Sequence, residues 1–172
     1  KAREALDKQA RQLEPARAPA GNRFSQLMQA YLADESLCRQ TQGALEELNL
    51  SVAGTIPVIL GYIKEIYQAD SPASGFSAGH VCQNLVDLAS HHPTPGYRCL
   101  ALMLDERRFF LFFFPDAAAA DSLPVLRTLI RTLQSQLQDY LNILLSLLAD
   151  RAEDFARIPA CCRQLLSVQR RH

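Results

Sequence analysis

Residues 122–168, SLPVLRTLIRTLQSQLQDYLNILLSLLADRAEDFARIPACCRQLLSV, decide how the fold is read. Leu123, Leu126, Ile130, Leu133, Leu137, Leu141, Leu144 and Leu148 recur at steps of three or four, the spacing that lines side chains along one face of a helix. Ser122 suits its N-cap and Pro124 its first turn, so the pattern predicts one helix running to about Ala149. Residues 150–153 then read as a charged turn. Phe155, Ile158, Cys162, Leu165 and Leu166 mark a final helix, kinked or restarted at Pro159. A helix with so apolar a face must be covered by others, and the expectation is an all-α, multi-helix domain.

Working outward, residues 1–14 carry a heptad-like series, Ala2, Leu6, Gln9 and Leu13, expected as an amphipathic helix or the end of a coiled coil. Pro15, Pro19 and Gly21 make 15–22 a linker, and 23–172 reads as a single helical domain. Within it Asn22 caps a helix bearing Phe24, Leu27, Met28, Tyr31 and Leu32, and Leu37, Ala44, Leu45 and Leu48 continue the pattern. Gly54, Thr55 and Pro57 open another helix whose stripe is Val58, Ile59, Tyr62, Ile63 and Ile66. After a Ser-, Pro- and Gly-rich loop at 69–79, residues 77–92 form a helix with Val81, Leu85 and Leu88 inward. Segment 97–115 has two readings: a helix pair, or a β-hairpin at 98–114 pairing 99–104 with 109–114 across 105–108. Five phenylalanines in the second run favour strand by propensity, but a lone two-stranded ribbon needs a helix against it.

The segments 50–92 and 123–168 each read as helix, turn, helix over about 45 residues, and in that period the chain resembles a HEAT or armadillo-type α-solenoid. The resemblance matches no residue-specific consensus and carries no functional residues across. It implies a short stack of helix pairs, a scaffold presenting a face to protein partners; an irregular helical bundle is the other expectation.

A chain of 172 residues can bury roughly 70% of its unfolded surface without a disulfide or metal staple. Lys plus Arg and Asp plus Glu are both 18, so no global field draws it to nucleic acid or anionic lipid. No apolar run approaches the roughly 20 residues needed to span a bilayer. The chain begins at Lys1 with no signal-peptide pattern, as expected of a piece of a longer protein. Five cysteines, Cys38, Cys82, Cys99 and the vicinal Cys161 and Cys162, do not form a secreted disulfide framework, which points to a reducing, intracellular compartment, cytoplasm or nucleus.

Little in the sequence carries chemistry. His80, Cys82, His91, His92 and Cys99 include zinc-binding residue types, but no Cys-x-x-Cys, and two residues two apart on a helix face different ways. Arg157 and Arg163 near Cys161 and Cys162 would favour thiolates, against the plainer reading of small buried side chains. No nucleophile elbow or phosphate-cradling glycine loop is present. The expectation is therefore a non-enzymatic adaptor or scaffold domain without cofactor, catalytic residue or metal, binding a helix or peptide of another protein. Arg127, Arg131, Gln134 and Gln138 form the polar stripe chosen for that contact. The alternatives are a self-association element, a homodimer through the N-terminal helix, and a nucleic-acid-binding domain, this last disfavoured because no aromatics are interleaved with the arginines.

Overall fold

The computed structural model describes residues 19–66, 78–91, 94, 96–116, 127–128, 130–136 and 143–171. Its centre is a four-stranded antiparallel sheet formed by β1 (Ile56–Ile66), β2 (Tyr97–Met103), β3 (Arg108–Pro115) and β4 (Ile143–Ala152), in the spatial order β2-β3-β1-β4. The helices are α1 (Pro19–Ala33), α2 (Cys38–Glu47), α3 (Ala78–His91), α4 (the helical residues between 127 and 136) and α5 (Ile158–Arg171). Short 3-10 turns, Glu35–Leu37 and Phe155–Arg157, lead into α2 and α5. From β1 to β4 the chain runs β-α-β-β-α-β with both crossovers skipping one strand, the topology of a split βαβ unit.

The chain is thus mixed α/β, which overturns the all-α expectation. Neither a HEAT or armadillo stack nor a coiled coil is present among the described residues; residues 1–14 lie outside them. The segment expected as a helix from Pro57 is the central strand β1, and the helix expected to reach Ala149 gives way to β4. Of the two readings of 97–115 the hairpin is the one observed, with Cys99 opposite Phe113 and Met103 opposite Phe109. At its turn Asp105 Oδ1 accepts the N–H groups of Arg107 and Arg108, and its Oδ2 pairs with Arg108 Nε at 2.7 Å. Burial alone would raise the Asp105 carboxyl, but these donors outweigh it and hold the group below its ordinary value.

Both faces of the sheet are covered, which explains the sequence runs. In β3 Phe110, Phe112 and Phe114 enter one core with Val58 and Leu60 of β1, beneath Phe24, Met28 and Tyr31 of α1, Leu45 of α2 and Ile158, Cys162 and Leu165 of α5. Phe109, Leu111 and Phe113 enter the opposite core with Ile59 and Ile63, beneath Val81, Cys82, Leu85 and Ala89 of α3 and Leu133 of α4. A strand sandwiched in this way is apolar at every position and shows no alternation. The first core is ordered by aromatic contacts: Phe24 meets Phe112 and Phe114 edge-on at 5.9 and 5.8 Å. Tyr31 stacks on Phe155 at 5.1 Å and donates its hydroxyl to the Phe155 carbonyl at 2.9 Å. Arg163 of α5 pairs with Glu35 at the surface, tying the terminal helix to the turn before α2.

Candidate functional site

The reactive side chains singled out in the sequence are scattered. Cys82 and Cys99 are buried in the core under α3, where burial pushes their thiols up to about 11 and about 12. Cys161 and Cys162 are buried in the other core; burial pushes Cys161 up to about 12, and raises Cys162 despite the opposing Arg163 charge. Desolvation therefore overrides the basic neighbours expected to favour thiolates. His80 and His91 lie exposed on α3, with His91 Nδ1 at 2.6 Å from the Asp87 carbonyl. Among the described residues no three metal-ligating side chains come together, and His92 is outside them.

The polar stripe on α4 has a more definite position. Arg127 and Arg131 are exposed, while Gln134 is half-buried and donates from Nε2 to the Leu145 carbonyl of β4 at 3.2 Å. Leu133 and the partly buried Ile130 anchor α4 on the sheet. Positions 127, 131 and 134 recur at helical spacing, so the two arginines stand on the flank that reaches β4. Gln138 lies outside the described residues.

Backbone polarity shows what that flank borders. Ile63 donates its N–H to Arg107 on the β3 side at 2.9 Å, and alternate residues of a strand turn their polar groups the same way. Ile59 and Gly61 therefore face β3, while Val58, Leu60 and Tyr62 face β4, opposite Asp150, Leu148 and Ser146. The intervening residues of β4, Leu145, Leu147, Ala149 and Arg151, turn their N–H and C=O groups outward. Gln134 takes up the Leu145 carbonyl, and Asp150 Oδ1 accepts the Arg151 N–H at 2.8 Å. Leu147 and Ala149 make no outward hydrogen bond among the described residues. The other sheet edge, β2, is shorter and packed against by α1 and α3. On β4, Ala149 is exposed and Leu144 is 37% exposed, a large apolar side chain left at the surface.

Among the described residues the site is thus a strand edge with free main-chain donors and acceptors at Leu147 and Ala149, bounded by the side-chain hydrogen bonds at Leu145 and Arg151 and flanked by the exposed guanidinium groups of Arg127 and Arg131. No protein-family model, no curated protein and no solved structure matches the chain. The arginines were legible in the sequence; the edge was not, because its polar groups belong to the backbone. Among the described residues no helix is long and apolar enough to cross a membrane.

Proposed function

We propose that this chain is a non-enzymatic protein-interaction domain of a longer intracellular protein, and that it binds its partner by adding an extended segment to β4. The observation that carries the reading is the outward pair of Leu147 and Ala149 on a ten-residue strand, between a Leu145 carbonyl and an Arg151 N–H that side chains take up. An unpaired edge is a template for another strand: main-chain hydrogen bonds supply affinity, and flanking side chains supply selectivity. Strand addition replaces the contact through a helical surface expected of an all-helical domain, since Ile143–Ala152 form a strand of the sheet. Arg127 and Arg131 remain the contact residues, now as the rim of the added strand. The five free cysteines suit a reducing compartment.

The test uses Ala149→Pro. Proline is tolerated on an edge strand where the lost N–H faces solvent, so the sheet survives while one outward donor disappears. Affinity capture with the unaltered chain should yield a partner whose binding segment maps by peptide scanning. That segment should be lost by Ala149→Pro at unchanged melting temperature. A partner held equally by both proteins overturns the reading.

A further inference from the structure

We infer that the segment received by β4 is acidic and belongs to a different protein, not to β4 of a second copy; this rests on the strand-addition reading. An antiparallel edge can always pair with itself about a two-fold axis, which makes a second copy the first occupant to consider. In such a pair the two sheets become continuous and each α4 lies on the same face, beside its own edge. The flank bearing Arg127 and Arg131 would then look across the axis at the same flank of its mate. The described residues of α4 include no carboxylate to relieve four facing guanidinium groups. Self-pairing is opposed by charge, and a strand carrying acidic side chains is favoured by the same charge.

The register of β4 gives the partner's alternation. Ile143 and Leu145 point into the core beneath α3 and α4, whereas Leu148 and Ala152 belong to the core on the other face. Alternate residues of an added strand would therefore rise beside Arg127 and Arg131, and the remainder would lie beside exposed Leu144 and half-buried Leu148. From Gln134 back to Arg127 the helix rises about 10 Å, the length of about three strand residues. Two acidic positions separated by one residue fit within that reach, with apolar residues between them. The chemistry recognised is an extended peptide alternating carboxylate and apolar side chains.

The experiment uses three labelled ten-residue peptides and the full chain, read by fluorescence anisotropy at low ionic strength. One peptide alternates glutamate and valine, the second replaces glutamate by lysine, and the third is the glutamate peptide N-methylated at alternate amides. The glutamate peptide should bind about tenfold more tightly than the lysine peptide, N-methylation should abolish binding, and the Arg127→Glu/Arg131→Glu variant should reverse the preference. Equal binding of glutamate and lysine peptides, both lost on N-methylation, overturns the acidic partner and leaves strand addition standing. Equal binding of methylated and unmethylated glutamate peptides overturns strand addition itself, and no binding of any peptide overturns both. Sedimentation showing a dimer that Ala149→Pro dissociates makes the second copy the occupant and overturns the inference.

Discussion

The ring of Phe109 lies directly over the backbone of Gly61: a Cβ built at Gly61 would fall within 3.0 Å of ring atoms Cζ, Cε1 and Cε2. The two residues are cross-strand partners on β1 and β3, so the aromatic ring fills the space that the missing side chain leaves. Both are buried in the centre of the sheet. Gly61→Ala should cost about 1–3 kcal/mol by overpacking, because the clash is with a ring hemmed in by the core. Phe109→Ala should cost about 3–5 kcal/mol through the cavity it leaves. The double variant should be less destabilised than the sum of the two, since the alanine methyl then enters vacated space. Urea unfolding of the three proteins measures this coupling, and strict additivity would refute the proposed close approach.

The same pair explains part of what could be read from the sequence. Helices α1, α3 and α5 were legible because each buries one face, so apolar residues such as Val81, Leu85 and Ala89 return at helical spacing. Strands β1 and β3 are covered on both faces, and their apolar runs carry no period of two; β4, though Leu144 is exposed on one face, has leucines on both. Within β4, Leu144 and Leu148 continue the three-and-four spacing of Leu133 and Leu137 by coincidence of composition. Strand propensity in Ile56, Val58, Ile59 and Ile63, with a glycine at the centre, was the available signal against a helix at β1. The flank of Arg127 and Arg131 could be found from spacing alone. Its position beside β4 depends on Gln134 reaching a carbonyl eleven residues away, a tertiary contact with no local signature.

Asn49 ends α2 in the left-handed region, with φ of 62°. Its N–H donates to the Glu46 carbonyl at 3.0 Å and that of Leu50 to the Leu45 carbonyl at 3.1 Å, the paired bonds of a Schellman cap. Leu45 and Leu50 meet in the core below, so the cap sets the path from α2 toward β1. Asn49→Gly should stabilise by a few tenths of a kcal/mol to about 1 kcal/mol, because glycine adopts this conformation without a Cβ penalty. Asn49→Val should destabilise by about 1–2 kcal/mol, branching at Cβ being least compatible with positive φ. Thermal melts of the two variants should move in opposite directions; a shared sign would mean that the cap is not limiting.

Gln169, near the end of α5, buries its side-chain Oε1 without a hydrogen-bond partner among the described residues. An acceptor removed from water and left unpaired forfeits its hydration with no return, at about 1–3 kcal/mol. Gln169→Met keeps length and removes the oxygen, and should raise the unfolding midpoint by the equivalent of about 1 kcal/mol. Gln169→Glu places a carboxylate at the same point and should lower it at neutral pH, with recovery as the group is protonated in acid. A Met variant less stable than the parent would show that the amide's remaining atoms, not its orphaned oxygen, dominate at this position.

The buried thiols make stability fall on the alkaline side. Cys82, Cys99 and Cys161 are pushed up to about 11, about 12 and about 12 by burial, and Cys162 is also raised. In the unfolded chain the same thiols ionise near 9.0, so above that pH the unfolded state sheds protons that the folded state retains. The thiols themselves should add no pH dependence below about pH 8.5. Between the unfolded and folded values each thiol then removes up to about 1.4 kcal/mol per pH unit. Cys99→Ala lowers stability at neutral pH by opening a small cavity, yet it should make the decline between pH 9 and 10.5 shallower, a change of slope that packing loss alone cannot produce. Disulfide-exchange reagents provide the matching kinetic measurement. At pH 8 the native chain should release one equivalent promptly, from half-exposed Cys38, and the other four only at the rate of opening. Prompt modification of Cys161 or Cys162 would contradict their burial against the sheet and restore the case for a redox-active pair.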